Sequence, residues 1–599
     1  MKNESFGRFT FLGISLTVAA SLMLAQIVNI QVSAKMKEVS KESQNLYVVT
    51  KETFYPERGI ITDRYGRQMA TNKQVYQLGI NLQEVISPVT IASTLASVAG
   101  LDYNLVYAQA SQPYEEGKHV FVDLRVSISG DKKKQLDTIS DSLAQKTGSH
   151  KSGEVYPSLA GLIMTPHLQR SYPEGTVGSN IIGFYKFLDR DGEKDLGSGY
   201  YGVEGFYNDL LAGKPQTLDV SWDPNHAVKY PNVPPGASLV LTIDRDIQAM
   251  AENIVDQAME SSKSDSATIV IADPKTGEVL AMATTPRLDP NEYWNYEKVF
   301  KPISTPFNRA ISQTYEPGSV FKVLTMAAGL DSGAVTLDTT YLDTGSIEVG
   351  GQTLVNWDHI GHGYQNMQGC LGLSLNVCLA WVATQIGVPN YYKYLEAFGI
   401  GRRTDIDLAG EAIWPLLLPG DTDWTPVQLG TNAYGQGVAT TPIQMVMAVS
   451  AVANHGEMMA PHILKAMVIN GKQYETPLRS LGHPIKAKTA DSLSQMLARS
   501  LEEEASSAMV DGYRVAGKTG TASISVGSLG YVTALTNASF VGWGPVDDPR
   551  FVVYIWLEKP KTNPWGSIVA SPVFSAVVRQ LVVLMNIPTD EERKKLYGQ

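Results

Sequence analysis

An uncharged and mostly apolar stretch runs from Phe9 to Ala34. As a helix, Phe9–Ile30 would be ~33 Å long, which is enough to cross the hydrocarbon core of a bilayer. Val32-Ser33-Ala34 resembles a signal-peptidase site, but the apolar stretch exceeds the ~7–15 residues usual for the apolar part of a signal peptide. The pattern therefore favours a retained transmembrane helix at 9–30, preceded by a short tail at 1–8.

After this stretch, the pattern of polar, apolar and turn-forming positions divides the chain into two regions. Residues 35–230 are polar, turn-rich and strand-prone, and a proline-rich stretch, Tyr230–Gly236, marks a boundary. Residues 236–587 mix strand-like and helix-like patterns and predict an antiparallel sheet with helices on its faces, which makes the fold class α+β. Residues 588–599 form a charged tail. No second hydrophobic span is expected.

A helix that is apolar on nearly every face is predicted over Val320–Leu330, directly after Pro317-Gly318. Ser319 falls at its N-cap or first turn, a position that serine favours, and Lys322 follows three residues later on the same face. Apolar neighbours would desolvate Lys322 and lower its pKa towards the range where the neutral amine accepts protons. Because a serine hydroxyl is a weak nucleophile until a base is in reach, Ser319 and Lys322 are a candidate nucleophile and base.

A strand is predicted over Arg514–Ser523, which contains Lys518-Thr519-Gly520-Thr521. Gly520 lacks a Cβ, so a substrate backbone could approach closely there and pair along the strand. Lys518, Thr519 and Thr521 would offer a cation and hydroxyls to a terminal carboxylate. The alternative is an ordinary edge strand whose lysine discourages aggregation.

Ser374-Leu375-Asn376 lies between these two motifs. The order S-x-x-K, S-x-N, K-T-G is typical of serine enzymes whose base is a lysine, among them penicillin-binding proteins and class A β-lactamases. Single matches to one of these motifs recur elsewhere without the order or the context, at Ser129–Lys132, Ser43–Asn45, Lys146–Gly148 and Lys275–Gly277. The last of these is better explained as a turn between two strands.

Further blocks give the chain a resemblance to class B, high-molecular-mass penicillin-binding proteins over roughly residues 45–585. Arg58–Gly66 resembles the R-G-x-I-x-D-R-x-G signature of that family. Other similar blocks are Arg170–Gly175, Gly202–Gly205, Leu241–Gln248, Tyr315–Ser319, Gly435–Gly437, Thr441–Gln444 and Ser539–Gly542.

The resemblance implies a peptidoglycan D,D-transpeptidase that cross-links stem peptides through a serine acyl-enzyme and takes β-lactams as inhibitors. It implies a non-catalytic pedestal at 35–230, a transpeptidase domain at 236–587 outside the cytoplasm, and a cytoplasmic tail at 1–8. No cofactor or metal is expected. The residues that it assigns to catalysis are Ser319, Lys322, Ser374, Asn376 and Lys518, and those that it assigns to substrate binding are Thr519, Gly520 and Thr521. For Arg58, Arg170 and Glu204, structural ion pairs are at least as good an explanation as partner contacts.

The middle motif departs from the usual S-S-N or S-D-N because residue 375 is leucine. Activity is still expected, since the family assigns the chemistry to Ser374 and Asn376, but a change in substrate or antibiotic contacts stays open. Cys370 and Cys378 flank the motif. At helical spacing they would be ~12 Å apart, too far to bond, so free thiols are favoured over one bridge.

Composition excludes several function classes. The net charge of −11 argues against a nucleic-acid partner, and two cysteines form neither a zinc set nor a disulfide framework. With 599 residues, of which 43% are hydrophobic, the chain should form more than one domain. A β-lactamase is disfavoured because no E-x-x-L-N-like block lies between Ser374 and Lys518. A β-lactam sensor would carry more membrane helices, and the intact motifs disfavour an inactive scaffold.

The expected partners follow from the resemblance. No E-D-x-x-F-type glycosyltransferase block precedes the pedestal, so glycan polymerisation is expected from a partner, a multi-span polymerase of the shape, elongation, division and sporulation (SEDS) family. Gly566–Phe574 is more similar to the division-type, FtsI-like enzymes. This favours septal cell-wall synthesis with other divisome proteins, and side-wall elongation is the alternative.

Overall fold

The structure is a computed structural model that describes residues 4–32, 49–116, 118, 120–146, 155–186, 197–221, 233–504, 506–525 and 531–597. Four sequence features fall wholly or partly outside the described residues. They are Ser33-Ala34 of the candidate cleavage site, the single-motif matches at Ser43–Asn45 and Lys146–Gly148, and the first half of the proline-rich boundary.

The described strands are β1 Val49–Phe54, β2 Ile61–Thr62, β3 Gln68–Asn81, β4 Phe121–Ser129, β5 Leu162–Ser171, β6 Phe184–Lys186, β7 Ser198–Tyr200, β8 Gln216–Ser221, β9 Ser238–Leu241, β10 Ser266–Ala272, β11 Val279–Thr284, β12 Thr340–Asp343, β13 Ser346–Val349, β14 Gln352–Val355, β15 Gly363–Asn366, β16 Met458–Met459, β17 Leu464–Ile469, β18 Lys472–Glu475, β19 Ser480–Gly482, β20 Ala516–Ser525, β21 Tyr531–Gly544 and β22 Phe551–Glu558.

The described α-helices are α1 Glu4–Val32, α2 Pro88–Ala99, α3 Tyr103–Ala110, α4 Gly130–Lys146, α5 Ser179–Ile182, α6 Gly202–Phe206, α7 Asn208–Ala212, α8 Arg245–Ser262, α9 Tyr296–Val299, α10 Arg309–Ser312, α11 Lys322–Ser332, α12 Met367–Gly372, α13 Asn376–Ile386, α14 Val388–Ala397, α15 Gln428–Asn432, α16 Pro442–Ala453, α17 Ala487–Glu504, α18 Gly566–Val569, α19 Ser571–Leu584 and α20 Asp590–Tyr597. Short 3₁₀ turns occur at Leu82–Glu84, Pro290–Asn295, Gly318–Phe321 and Ser506–Ala508.

The chain separates into two compact units. The smaller consists of Met1–Glu57 and Gly213–Pro235, and in it β1 pairs antiparallel with β8. Its helix α1 contains a 20-residue segment, Thr10–Asn29, with a mean hydropathy of 2.0 and no buried side chains. That segment has the length and composition of a membrane span, as the sequence predicts.

The larger unit consists of Arg58–Ala212 and Gly236–Gln599. Its central sheet has the strand order β11-β10-β22-β21-β20 and is antiparallel throughout, so the predicted α+β class is confirmed. The side chains of β22 alternate between two hydrophobic cores. One core contains Val552, Tyr554 and Trp556 together with α11, α16 and α17, and the other contains Val553 and Ile555 together with α8 and α19. The strand is buried on both faces, which explains its unbroken apolar sequence.

Helices α18 and α19 include a second stretch, Gly566–Leu584, with the length and composition of a membrane span, contrary to the expectation of one such stretch. Half of it is buried, and Phe574, Val578 and Leu581 lie in the core against the central sheet. Within the predicted charged tail at 588–599, Asp590–Tyr597 forms the helix α20. Helix α20 is docked through Arg593, whose guanidinium is buried and donates to Asp547 and Asp590.

A second sheet of the larger unit has the order β18-β17-β9-β2-β3-β4, with β5 paired to β3. Strand β2 comes from the predicted pedestal and runs parallel to β9, which follows the proline-rich boundary. The sheet therefore contains strands from both predicted domains, 35–230 and 236–587. Strand pairing can join segments that are distant in sequence. Lys275–Gly277 forms the turn between β10 and β11, as predicted.

The charged residues of the early family blocks meet in one buried cluster. Glu204 is fully buried and receives the guanidinium groups of Arg58 and Arg170, with Nε–Oε distances of 2.8 and 2.7 Å. Burial by itself raises the pKa of the Glu204 carboxyl, but the two positive charges outweigh it and hold that pKa below its usual range. The explanation of these residues as structural ion pairs is confirmed.

Candidate active site

The first motif forms a tight turn that leads into a buried helix. Gly318–Phe321 is a 3₁₀ turn, and α11 begins at Lys322. Gly318 has a φ of +62°, and a Cβ there would lie 2.9 Å from that of Ala522 on β20. This close approach explains the glycine and seats the turn against the strand. Ser319 is thereby placed at the predicted helix start, facing a cavity.

Lys322 is fully buried in the core. Its Nζ donates to the backbone oxygen of Ser374 at 2.5 Å, to Ser374 Oγ at 3.2 Å and to Asn376 Oδ1 at 2.8 Å. Burial lowers the pKa of Lys322 well below its usual range, and the positive charge of Lys518 lowers it further. The direction of this pKa shift agrees with the sequence-based expectation for a desolvated lysine.

The second motif lies at a break between two helices. Helix α12 ends at Gly372, Ser374 adopts a left-handed φ of +56°, and α13 begins at Asn376. The turn aims Ser374 Oγ at Lys322 Nζ. Leu375 is fully buried and is not among the cavity-lining residues, so the unusual residue faces the protein core.

The same break overturns the prediction of free thiols. Cys370 and Cys378 form a disulfide, with their Cα atoms 6.0 Å apart. The estimate of ~12 Å assumed one continuous helix. Because the chain turns back at Ser374, the two cysteines, on successive helices, come within bonding range.

The third motif lies on β20, the edge strand of the central sheet, as predicted. Because β20 neighbours only β21 in this sheet, the backbone N–H and C=O groups on its other side are not used in pairing with a described strand of the sheet. Lys518 Nζ contacts Thr519 Oγ1 at 3.2 Å, and Thr521 Oγ1 accepts from the Gly566 N–H at 2.9 Å. A Cβ on Gly520 would lie 2.2 Å from Ser539 Oγ and 2.9 Å from Val320, so this glycine is explained by packing of the serine turn, not by access for substrate.

A cavity of about 390 Å³ brings the three motifs together. Its lining includes six of the eight predicted site residues, namely Ser319, Ser374, Asn376, Lys518, Thr519 and Thr521. Lys322 lies behind Ser374 and Asn376, and Gly520 faces the serine turn. The cavity thus brings the hydroxyls of Ser319 and Ser374 and the side chain of Lys518 around one space, with the buried Lys322 amine directly behind it.

Sequence reasoning missed several residues of the cavity wall, namely Trp357, His362, Tyr434, Gln436 and Trp565. Trp357 and Trp565 meet edge to face, with ring centroids 5.3 Å apart. Tyr434 directly precedes the Gly435–Gly437 block and Gln436 lies within it, so the resemblance of that block was a usable signal. The tryptophans and His362 lie in stretches with no motif, and only the tertiary fold brings them to the cavity.

In the part of the chain that the structure describes, no group of three or more His, Cys, Asp or Glu residues could hold a metal ion. Besides serine and threonine hydroxyls, the described residues that line the cavity supply three titratable side chains. They are the Lys518 amine, the His362 imidazole and the Tyr434 phenol. Serine hydroxyls beside a buried amine and a lysine side chain are an arrangement suited to acyl transfer by a serine nucleophile.

Comparison with known proteins identifies the family. Residues 267–579 match the penicillin-binding protein transpeptidase domain, and residues 53–230 match the penicillin-binding protein dimerisation domain. The chain belongs to the class B penicillin-binding proteins. Stage V sporulation protein D of Bacillus subtilis is 31% identical over 91% of this chain and 81% of its own length. The peptidoglycan D,D-transpeptidase FtsI of Buchnera aphidicola is 26% identical over 98% of this chain and 97% of its own.

Solved structures of penicillin-binding proteins have the same fold. The aztreonam complex of penicillin-binding protein 3 from Mycobacterium tuberculosis has a TM-score of 0.66 at 25% identity, over 90% of this chain and 98% of the other. Penicillin-binding protein 2X of Streptococcus thermophilus has a TM-score of 0.75 at 21% identity, over 91% and 82%. This class B penicillin-binding protein is a peptidoglycan D,D-transpeptidase, and with its apolar α1 it is a membrane-anchored one.

Proposed function

We propose that this transpeptidase works through an acyl-enzyme on Ser319. Lys322 accepts the Ser319 proton, and Ser319 Oγ attacks the carbonyl carbon of the penultimate D-Ala of a stem peptide. The backbone N–H groups of Ser319 and Thr521 stabilise the negative oxygen of the intermediate. Lys518, Thr519 and Thr521 bind the terminal carboxylate of the donor, which pairs along the edge of β20.

The second motif completes the transfer. Ser374, oriented by Asn376 and by the nearby Lys518, passes a proton to the nitrogen of the leaving D-Ala. An amine of a neighbouring stem peptide then attacks the ester carbon, and the C–Oγ bond to Ser319 breaks as the cross-link forms. The observation that carries the proposal is the buried Lys322 amine, which bonds to Ser374 and Asn376 directly behind the cavity that Ser319 faces.

A soluble thioester analogue of the donor peptide tests this function. The wild-type protein should release the thiol and transfer the acyl group to water or to an added amine. Ser319→Ala should abolish both reactions, because no other hydroxyl occupies the helix start. Ser129→Ala, in the S-x-x-K match at the end of β4, is the matched control and should keep full activity. Equal activity of the Ser319→Ala variant would overturn the proposal.

We also propose a septal role, with α1 as a single span and the catalytic unit outside the cytoplasm. The similarity of Gly566–Phe574 to division-type enzymes and the FtsI relatives support it. The protein would then work beside a SEDS-type polymerase and other divisome proteins. A fluorescent fusion should concentrate at the division site. Uniform side-wall fluorescence would favour an elongation role instead.

A further inference from the structure

A histidine that the proposed mechanism leaves unused lines the active-site cavity. His362 precedes β15, and its Nε2 lies 2.8 Å from Asp358 Oδ2. A carboxylate can only accept a hydrogen bond, so Nε2 carries the proton in the neutral ring and Nδ1 keeps a lone pair. Histidine beside a carboxylate is a common arrangement for a general base.

Two buried residues fix His362 relative to the second motif. The His362 backbone N–H donates to Asp343 Oδ2 at 3.0 Å, and Asn356 Nδ2 donates to the same oxygen at 2.7 Å. Asn356 Oδ1 in turn accepts from the backbone N–H of Val377, within the first turn of α13, at 3.1 Å. The backbone at His362 is therefore tied through hydrogen bonds to the helix that starts beside Ser374, and Asp358 holds the ring.

The second half of the reaction needs a base at this wall. In the proposed mechanism the donor peptide pairs with β20, which lines the cavity through Lys518, Thr519 and Thr521, so we assign the acceptor to lining residues from other segments, among them Trp357 and His362. An acceptor side-chain amine with a lysine-like pKa of ~10.4 is neutral in only about one molecule in 2,500 at pH 7. Lys322 and Ser374 already handle the proton released when the amine attacks, so the first proton of the ammonium needs another acceptor.

We propose that His362 removes a proton from the ammonium form of the acceptor amine, with Asp358 as the positioning residue. This inference rests on the proposed acyl-enzyme function. The ammonium nitrogen loses one proton to Nδ1 of His362, and the neutral amine attacks the ester carbon. Its second proton passes through Ser374 and Lys322 to Ser319 Oγ as the C–O bond breaks. The imidazolium, paired with Asp358, later releases its proton to water.

The charges around the imidazole fit this role. Asp358 contacts the ring, and Asp343, on β12, accepts from the His362 backbone N–H. Lys518 and the Tyr434 phenol line other parts of the cavity wall, and Lys322 lies behind Ser374.

The test measures how the acyl-enzyme formed from a thioester donor divides between amine and water. The ratio of amide to acid product cancels any change in acylation. With an ε-amine acceptor at pH 7, His362→Gln should lower this ratio at least ~10-fold, since general bases contribute typically 10²–10⁴-fold. With an α-amine acceptor of pKa ~8 at pH 9, where most amine is already neutral, the ratio should stay near that of the wild type. His359→Gln, an exposed histidine on the same loop, is the control.

Asp358→Asn separates positioning from folding. It keeps the imidazole but loses the carboxylate that fixes its tautomer, so it should show a smaller loss with the same dependence on acceptor protonation. If His362→Gln yields no acyl-enzyme, its product ratio cannot be measured. The product ratio of Asp358→Asn then decides whether His362 acts as the base. An unchanged ratio, or an equal loss with both acceptors, would overturn the role of His362. If the wild-type protein forms no acyl-enzyme, the proposed function fails instead.

Discussion

Lys322 Nζ and Asn376 Oδ1 lie 2.8 Å apart, and this hydrogen bond, with the two to Ser374, joins the first and second motifs. The bond holds the amine beside Ser374 Oγ in a site where burial and the charge of Lys518 disfavour the ammonium form. In the proposed mechanism, Lys322 is therefore the base and Lys518 the fixed cation.

The two lysines should therefore respond differently to the same substitution. Lys322→Arg should abolish acylation by penicillin, because a guanidinium stays protonated and cannot act as a base. Lys518→Arg keeps a cation for the substrate carboxylate and should retain measurable acylation. Stopped-flow acylation with a fluorescent penicillin measures both variants, and equal rates would refute this division of roles.

The pH dependence of acylation should depend on Lys518. Acylation needs neutral Lys322, so the rate falls as the pH drops through the pKa of that amine, which lies well below 10.5. Lys518→Gln removes the positive charge that helps to lower this pKa, so the acid limb should move to higher pH. The overall rate also drops because carboxylate binding weakens. A limb that stays in place or moves to lower pH would contradict the proposed coupling.

Glu204→Gln should destabilise the larger unit by about 3–5 kcal/mol, since it leaves Arg58 and Arg170 buried without their counter-charge. Glu174→Gln is the control, because its partner Arg245 is half-exposed and such pairs contribute about 0–1 kcal/mol. Thermal unfolding of the detergent-solubilised variants measures the difference. Equal shifts would show that burial of the cluster contributes nothing.

The same carboxyl predicts sensitivity to acid. The folded-state pKa of Glu204 lies below its usual value of 4.5, so the ionised carboxylate stabilises the fold above that value. This contribution is lost as the pH falls through the folded-state pKa. The wild-type unfolding midpoint should drop more steeply than that of Glu204→Gln below pH 4.5. Parallel acid profiles would contradict the assignment.

The sequence predicts those parts of the site whose signal is local. Ser319 and Lys322 share one helix start, so their spacing and apolar neighbours already indicate a desolvated base. His362 and Trp565 reach the cavity only through the tertiary fold, and no local pattern marks them. The prediction for Cys370 and Cys378 failed because helical spacing does not hold across the left-handed residue Ser374.

The disulfide leaves neither cysteine free. Alkylation of the unfolded protein without reductant should therefore label neither Cys370 nor Cys378, and both should react after reduction. Peptide mass spectrometry should recover one linked pair. Two alkylated cysteines before reduction would contradict the bridge.

The apolar segment Thr10–Asn29 predicts a retained anchor. The mature protein should keep its N-terminus and stay with membranes after a carbonate wash. A shortened chain that starts near Lys35 should be soluble and still bind penicillin, because the three motifs lie in the larger unit. A mature N-terminus mapped to Lys35 would show that Val32-Ser33-Ala34 is cleaved.

The most direct test of the account is to locate the covalent adduct formed with penicillin. Digestion of the labelled protein and mass spectrometry should place the penicilloyl group on Ser319 alone. Labelling should vanish in Ser319→Ala and persist in Ser129→Ala. An adduct on another serine, or undiminished labelling of Ser319→Ala, would contradict the assignment of Ser319 as the nucleophile.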